Sequence, residues 1–230
     1  SKTISSVLEK FLIERVDRLI VVSPSIGKWY ENKYGITNVI VIRNIPELSP
    51  DYSRNRVFND LFSIPENSLI FIYQGVVNRG RGIELLIKTF QENSLDKHLV
   101  VMGYGPLVDT VKSAATLNRN IHFLEAVRPS EIFYYTSGAD IGLSIIENIS
   151  LSYYYCLPNK LFEYLQSGLP VIVSDFPDMK QIINKFQCGW TTQVSIISLA
   201  EIISNISMQT IVEKRKNVSE ARLVLNWEKE

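Results

Sequence analysis

Apolar positions along the chain follow two rhythms. Short continuous apolar runs alternate with segments whose apolar residues recur every three to four positions. Residues 4–16 carry Ile4, Val7, Leu8, Phe11, Leu12 and Val16, the stripe of a helix. "DRLIVVS" (17–23) reads as a buried strand. "SPSIGKWYENKYG" reads as a helix, with Ser23 as N-cap, Pro24 just inside and Gly35 as the stop. "NVIVIRN" (38–44) is a second strand, and the proline-bearing, polar stretch 46–56 reads as a linker.

A longer series follows. Strands are predicted at 69–75, 98–103, 121–124, 139–146 and 170–174. Helices are predicted at 82–90, 106–117, 129–138, 158–168 and 177–186. "CGWTT" (188–192) and two helical segments finish the chain. Apolar strands alternating with amphipathic helices predict an α/β fold, a parallel sheet with helices on both faces. Ligands of such sheets bind outside the carboxyl ends of the strands.

Composition narrows the function classes. The 230 residues carry 24 lysines plus arginines and 24 acids, a formal net charge of zero. A general nucleic-acid footprint is therefore not expected. Two cysteines and two histidines suggest neither a disulfide framework nor a zinc site. No apolar run approaches the roughly 20 residues that span a bilayer.

Three strand-to-helix turns hold candidate chemistry. "YQGVVNRGRGIELL" (73–86) places Gly75, Gly80 and Gly82 around Arg79 and Arg81. The first two glycines have P-loop spacing, but Arg81 and Gly82 stand where lysine and a hydroxyl residue are needed, which excludes a P-loop NTPase. A glycine turn with arginines at a helix start makes an anion site, or else a flexible turn with solvated charges. "VVMGYGP" (100–106) places Gly103 and Gly105 after a strand, but Val108 stands where a dinucleotide fingerprint has glycine.

The third turn is "LPNKLFEYLQSGLPVIVSD" (157–175). Lys160 falls in the first turn of its helix, where a cation opposes the helix dipole by about 0.3–1 kcal/mol. A bound phosphate would reverse that sign; a mobile surface lysine is the alternative. Glu163 lies beside the stripe of Leu161, Phe162 and Leu165, as an acid suited to an early helix turn or as an acceptor for a ribose diol. The run Tyr153–Tyr155 either caps a pocket or is ordinary aromatic surface. No Asp-x-Asp pair and no metal-spaced cluster occurs, so no metal site is expected.

Taken in order, the basic glycine-rich turn, the G-x-G-P turn, "FLEAVRPSEIFYYTSGADIGLS" and "PNKLFEYLQSGLPVIVSD" resemble the donor-binding domain of group 1, family-4-type retaining glycosyltransferases of the GT-B fold. "PNKLFEY" is similar to a variant form of the family motif. The resemblance spans about residues 69–192 and implies two Rossmann-like domains. Residues 1–45 would be the end of the N-terminal acceptor domain and 46–56 the linker. Residues 57–215 would be the nucleotide-sugar donor domain and 216–230 a C-terminal helix.

The resemblance also implies site residues. Arg81 would stand for the family's lysine and, with Lys160, act on the donor diphosphate as the catalytic pair. Gly75, Gly103, Gly105, Val127, Asn159, Leu161 and Glu163 would bind the donor, Glu163 as ribose ligand. Val76 stands where the family has arginine, and Tyr155 where the first glutamate of E-x7-E is expected. Glu147 is a candidate replacement for that glutamate.

The activity implied is metal-independent, retaining transfer of a hexose-type sugar from a UDP- or GDP-sugar to a glycan or lipid-linked acceptor, with no cofactor. The portion read here would be inactive alone. The alternatives are a nucleotide-sugar 2-epimerase-like enzyme or a non-catalytic nucleotide-sugar-binding subunit. The family implies polysaccharide biosynthesis for the cell envelope, in the cytoplasm or on the inner face of the membrane, with peripheral membrane association of the full-length protein left open.

Overall fold

The computed structural model describes residues 2–50, 53–92 and 96–230, with side chains from residue 7 onward. The side chain of Ile4 in the first apolar stripe, and Asp51 and Tyr52 of the linker, lie outside what is described.

The chain begins with α1 (Lys2–Ile13), β1 (Leu19–Val21), α2 (Pro24–Tyr34) and β2 (Val39–Val41). The two strands pair in parallel, Leu19 opposite Val39, around the α2 crossover. Ser23 caps α2 by accepting from Ile26 N, Pro24 opens the helix, and Gly35 ends it at φ 67°, as the sequence predicts. The stripe of α1 forms but finds no cover among the described residues: Val7, Leu8, Phe11 and Leu12 are each more than half exposed. Its Glu9 instead faces α2 and accepts from the hydroxyls of Tyr30 (3.0 Å) and Tyr34 (2.6 Å).

The linker is tied down. Ser49 N donates to Gln166 Oε1 and the Ser49 hydroxyl to Gln166 O. A short helix that the sequence reading lacked, α3 (Val57–Phe62), follows and buries Phe58 completely.

The main sheet comprises β3 (Leu69–Val76), β4 (Lys97–Tyr104), β5 (Ile121–Glu125), β6 (Ile141–Ser144), β7 (Val171–Ser174) and β8 (Gly189–Thr192). Its order is β5-β4-β3-β6-β7-β8, parallel throughout. The chain winds outward from β3 in one direction and then from β6 in the other, which is Rossmann-like winding with its switch point between those two strands.

Period-2 alternation divides the core. Ile70, Ile72, Val100, Met102, Val171 and Val173 face one layer, formed by α3, α8 (Asn159–Gln166), α9 (Pro177–Phe186) and α11 (Met208–Val224). Leu69, Phe71, Tyr73, Leu99, Val101 and Ile172 face the other, formed by α4 (Ile83–Gln91), α5 (Val108–Leu117) and α10 (Ile196–Asn205). Two short helices, α6 (Ile132–Thr136) and α7 (Leu151–Tyr154), sit in the connections before and after β6.

The expected division at 215/216 lies within α11, which runs unbroken because Ser207 and Thr210 form a capping box at its start and no glycine or proline interrupts it.

Candidate functional site

At the carboxyl end of β3, beside the switch point, a cavity of about 400 Å³ opens between the strand and the start of α8. Its walls are Tyr73, Gln74, Gly75 and Val76 from β3, Arg81 from the following turn, and Cys156, Pro158, Asn159, Lys160 and Glu163. A larger cavity of about 620 Å³ lies at the amino ends of β6 and β7, between the linker and α11. The strand-end rule for parallel sheets and the glycine-rich turn favour the smaller one as the ligand site.

Residues of α8 dominate the site. Pro158 is the extended N-cap, with φ −74° and ψ 139°, so Asn159 and Lys160 begin the helix and their N–H groups have no carbonyl one turn earlier inside it. Lys160 is 8% exposed, and its Nζ has no hydrogen-bond partner. It stands 3.4 Å from the centre of the Tyr73 ring. Burial, then the nearby Arg81 charge, pushes the Lys160 ammonium well below the ordinary lysine range, while Glu163 opposes the shift. A mobile surface lysine is thereby excluded.

Glu163 follows on the same face. Burial raises its carboxyl above the usual carboxylate range, countered by a hydrogen bond from Gln74 and the charge of Lys160. Gln74 Nε2 donates to Glu163 Oε2 at 2.6 Å. The Arg81 guanidinium lies 4.8 Å over the Tyr153 ring on the cavity's other side. Cys156 is held as a neutral thiol, its pKa raised to about 11 by burial.

The remaining predicted residues fall in several places. Gly75 and Asn159 line the cavity. Asn159 Oδ1 also accepts from Asn44 Nδ2 at 3.0 Å, which joins the end of the first αβ unit to the cavity rim. Leu161 does not line it. Its side chain is fully buried in the core and its N–H donates to Pro158 O at 3.0 Å. Gly103 and Gly105 serve backbone packing: a Cβ on Gly103 would lie 1.9 Å from Gly75 O, and one on Gly105 2.5 Å from Val77 O. Val127 is half-buried against the core beyond β5 and is not among the residues that line the cavity. Arg79 is exposed.

Glu147 is engaged elsewhere, accepting from Gly82 N at 3.2 Å and latching the glycine turn to the loop after β6. The tyrosine run divides its duties. Tyr153 lies beneath Arg81, Tyr154 packs 5.0 Å from Phe176, and Tyr155 O accepts from the Ser23 hydroxyl. Sequence reasoning missed Gln74, Tyr73 and Cys156 at the site; for Gln74, a buried amide closing an apolar strand next to a glycine was the available signal. No cluster of three or more His, Cys, Asp or Glu placed to hold a metal ion occurs among the described residues.

This fold, with a strand-end cavity at its switch point that holds Arg81 and Lys160, defines a Rossmann-like domain suited to an anionic ligand. Residues 58–222 match the family described as glycosyl transferases group 1, and the chain belongs to that family. Among curated proteins, none matches the sequence. Solved structures share the fold. The sucrose-phosphate synthase of Thermosynechococcus elongatus superposes with a TM-score of 0.73 at 20% identity, over 96% of this chain and 57% of that one. HepE of Anabaena in complex with UDP gives 0.74 at 13% identity, over 92% and 60%. WaaG, a glycosyltransferase involved in lipopolysaccharide biosynthesis, gives 0.63 at 16% identity, over 91% and 58%. The chain thus spans less than two thirds of each of these structures.

Proposed function

We propose that the cavity binds a nucleotide-diphosphate sugar, UDP- or GDP-linked, and that the full-length protein transfers its hexose-type sugar, with retention, to a glycan or lipid-linked acceptor. The observation that carries this reading is the placement of Lys160 and Glu163 on one face of α8, opposite Arg81, at the switch point. The HepE structure, whose fold is similar, is in complex with UDP, which supports a nucleotide ligand.

In this reading the diphosphate leaves as the anomeric carbon gains positive charge. Negative charge grows on the distal phosphate, and donors aimed there in a dry cleft lower the barrier. Arg81, the Lys160 ammonium and the N–H groups of Asn159 and Lys160 supply them. No metal is required of the leaving-group site, and the Glu163 carboxylate receives the ribose hydroxyls. Synthesis of a cell-envelope polysaccharide on the cytoplasmic side, with the acceptor held by a further domain, completes the proposal.

Calorimetry of UDP and GDP binding tests it. Glu163→Ala is expected to weaken nucleotide affinity about tenfold or more, the loss of a charge-assisted hydrogen bond. Unchanged affinity removes the ribose assignment. Turnover that survives EDTA, with a glycoside rather than a free epimerised sugar as product, separates metal-independent transfer from 2-epimerisation.

A further inference from the structure

The cavity's acid is gripped by a relay that none of the proposed donor contacts includes. Gln74 is 3% exposed, and its amide is used at both ends. Its Nε2 donates to Glu163 Oε2 at 2.6 Å, and its Oε1 accepts from the Thr136 hydroxyl at 2.6 Å. Thr136 is fully buried in α6, across the cleft floor from α8. The backbone joins in: Gln74 N donates to the Tyr164 hydroxyl, which donates to Leu143 O. Glu163 has no second side-chain hydrogen bond among the described residues, so Oε1 is the oxygen left for a ligand.

The Thr136 hydroxyl has one proton and two acceptors within reach, Gln74 Oε1 and Ile132 O at 2.7 Å. Given to Gln74, that proton fixes the amide with its NH₂ toward Glu163, which favours an ionised carboxylate. Given to Ile132, it leaves the amide free to turn, and a carbonyl oxygen facing Glu163 Oε2 demands a protonated acid.

We propose that Gln74, held by Thr136, is the positioning residue that keeps Glu163 ionised and aimed by one oxygen at the ligand's hydroxyl pair, and so sets discrimination between ribose and deoxyribose nucleotides. This deepens the donor-site reading and rests on it for the identity of the ligand. The groups facing the Glu163 carboxylate are Gln74 on β3, Lys160 one turn earlier on α8, and beyond Lys160 the Arg81 guanidinium.

Two readouts test it on the full chain. The Glu163 carboxyl carbon is followed by NMR in the ligand-free protein and assigned by its loss in Glu163→Gln. Its titration midpoint is expected to rise by about one pH unit in Gln74→Leu, the loss of one charge-assisted hydrogen bond. It should rise by a smaller amount in Thr136→Val and stay in place in Thr136→Ser. The preference for UDP over 2′-deoxy-UDP is expected to fall about tenfold in Gln74→Leu and to survive in Thr136→Ser. A midpoint unmoved in a folded Gln74→Leu protein, or Thr136→Val behaving as Thr136→Ser does, overturns the relay. A parent chain that binds no UDP overturns the ligand assignment, while the ligand-free midpoints still decide the relay itself.

Discussion

The Lys160 Nζ lies 3.4 Å from the centre of the Tyr73 ring and makes no hydrogen bond. The ring's negative face is a poor replacement for an anion, so the folded chain carries a lysine whose charge is underpaid by its surroundings. A diphosphate in the cavity would supply the missing partner and raise the lysine's proton affinity. Nucleotide diphosphate binding is therefore expected to take up a proton at a pH below the ordinary lysine value, where the free site's ammonium pKa has been depressed by burial. Calorimetry in two buffers of different ionisation enthalpy measures the uptake, and Lys160→Met should abolish it.

The same lysine makes a stability prediction whose sign is fixed. Its folded-state pKa lies below its unfolded value, with burial the largest cause. Between the two, the unfolded chain binds more protons, so stability rises with pH across that window. Lys160→Met removes the penalty. It should raise Tm by about 2–4 °C for each kcal/mol recovered, and the gain over the parent should close as pH climbs to the ordinary lysine range. A gain that grows with pH would contradict the assignment.

The sequence made Lys160 suspicious without explaining it. Lys160 stands out because a cation at a helix start is locally unfavourable. The strands β3, β4, β6 and β7 were legible because each carries a largely apolar run buried on both faces. Gln74 was not, since its partners Thr136 and Glu163 lie 62 and 89 residues away and are brought to it by the sheet order alone. Leu161 shows the converse. A motif resemblance assigned it to the donor, while its place in the apolar stripe with Phe162 and Leu165 had already put it in the core.

Arg81 and Lys160 should separate ground state from transition state. If both act on the departing diphosphate, Arg81→Ala in the full-length enzyme should lower kcat by about 100-fold while donor affinity changes much less. Tyr153→Leu removes the ring 4.8 Å beneath the guanidinium and should give a smaller loss in the same direction. Equal losses in kcat and donor affinity would assign Arg81 to binding alone.

Gly142 holds α8 against the sheet. A Cβ there would lie 2.2 Å from Tyr164 Cγ, so Gly142→Ala must displace the ring, at about 1–3 kcal/mol or more. Tyr164→Phe keeps the ring but deletes the hydroxyl that accepts from Gln74 N and donates to Leu143 O, at about 1–3 kcal/mol. Urea unfolding measures both. Gly142→Ala should also weaken nucleotide binding, because the ring it moves sets the distance between α8 and β3.

Asp140 offers a test in which stability and ligand binding should part. It is 2% exposed and gathers Ile70 N at 2.9 Å, Arg54 Nε at 3.0 Å and Arg215 Nη2 at 3.3 Å. Burial depresses the Arg215 pKa, and Asp140 opposes that shift. Asp140→Ala strands the guanidinium and a buried N–H together, so the expected loss is about 3–5 kcal/mol. Asp140→Asn keeps an oxygen for Ile70 N and should lose less, while Arg54→Ala, whose partner retains Arg215, should lose least. The group lies at the amino end of β6, with the strand's length between it and the cavity. Nucleotide affinity in the folded Asp140→Asn protein should therefore match the parent's, and a parallel loss of both would mean that the two ends of the sheet are coupled.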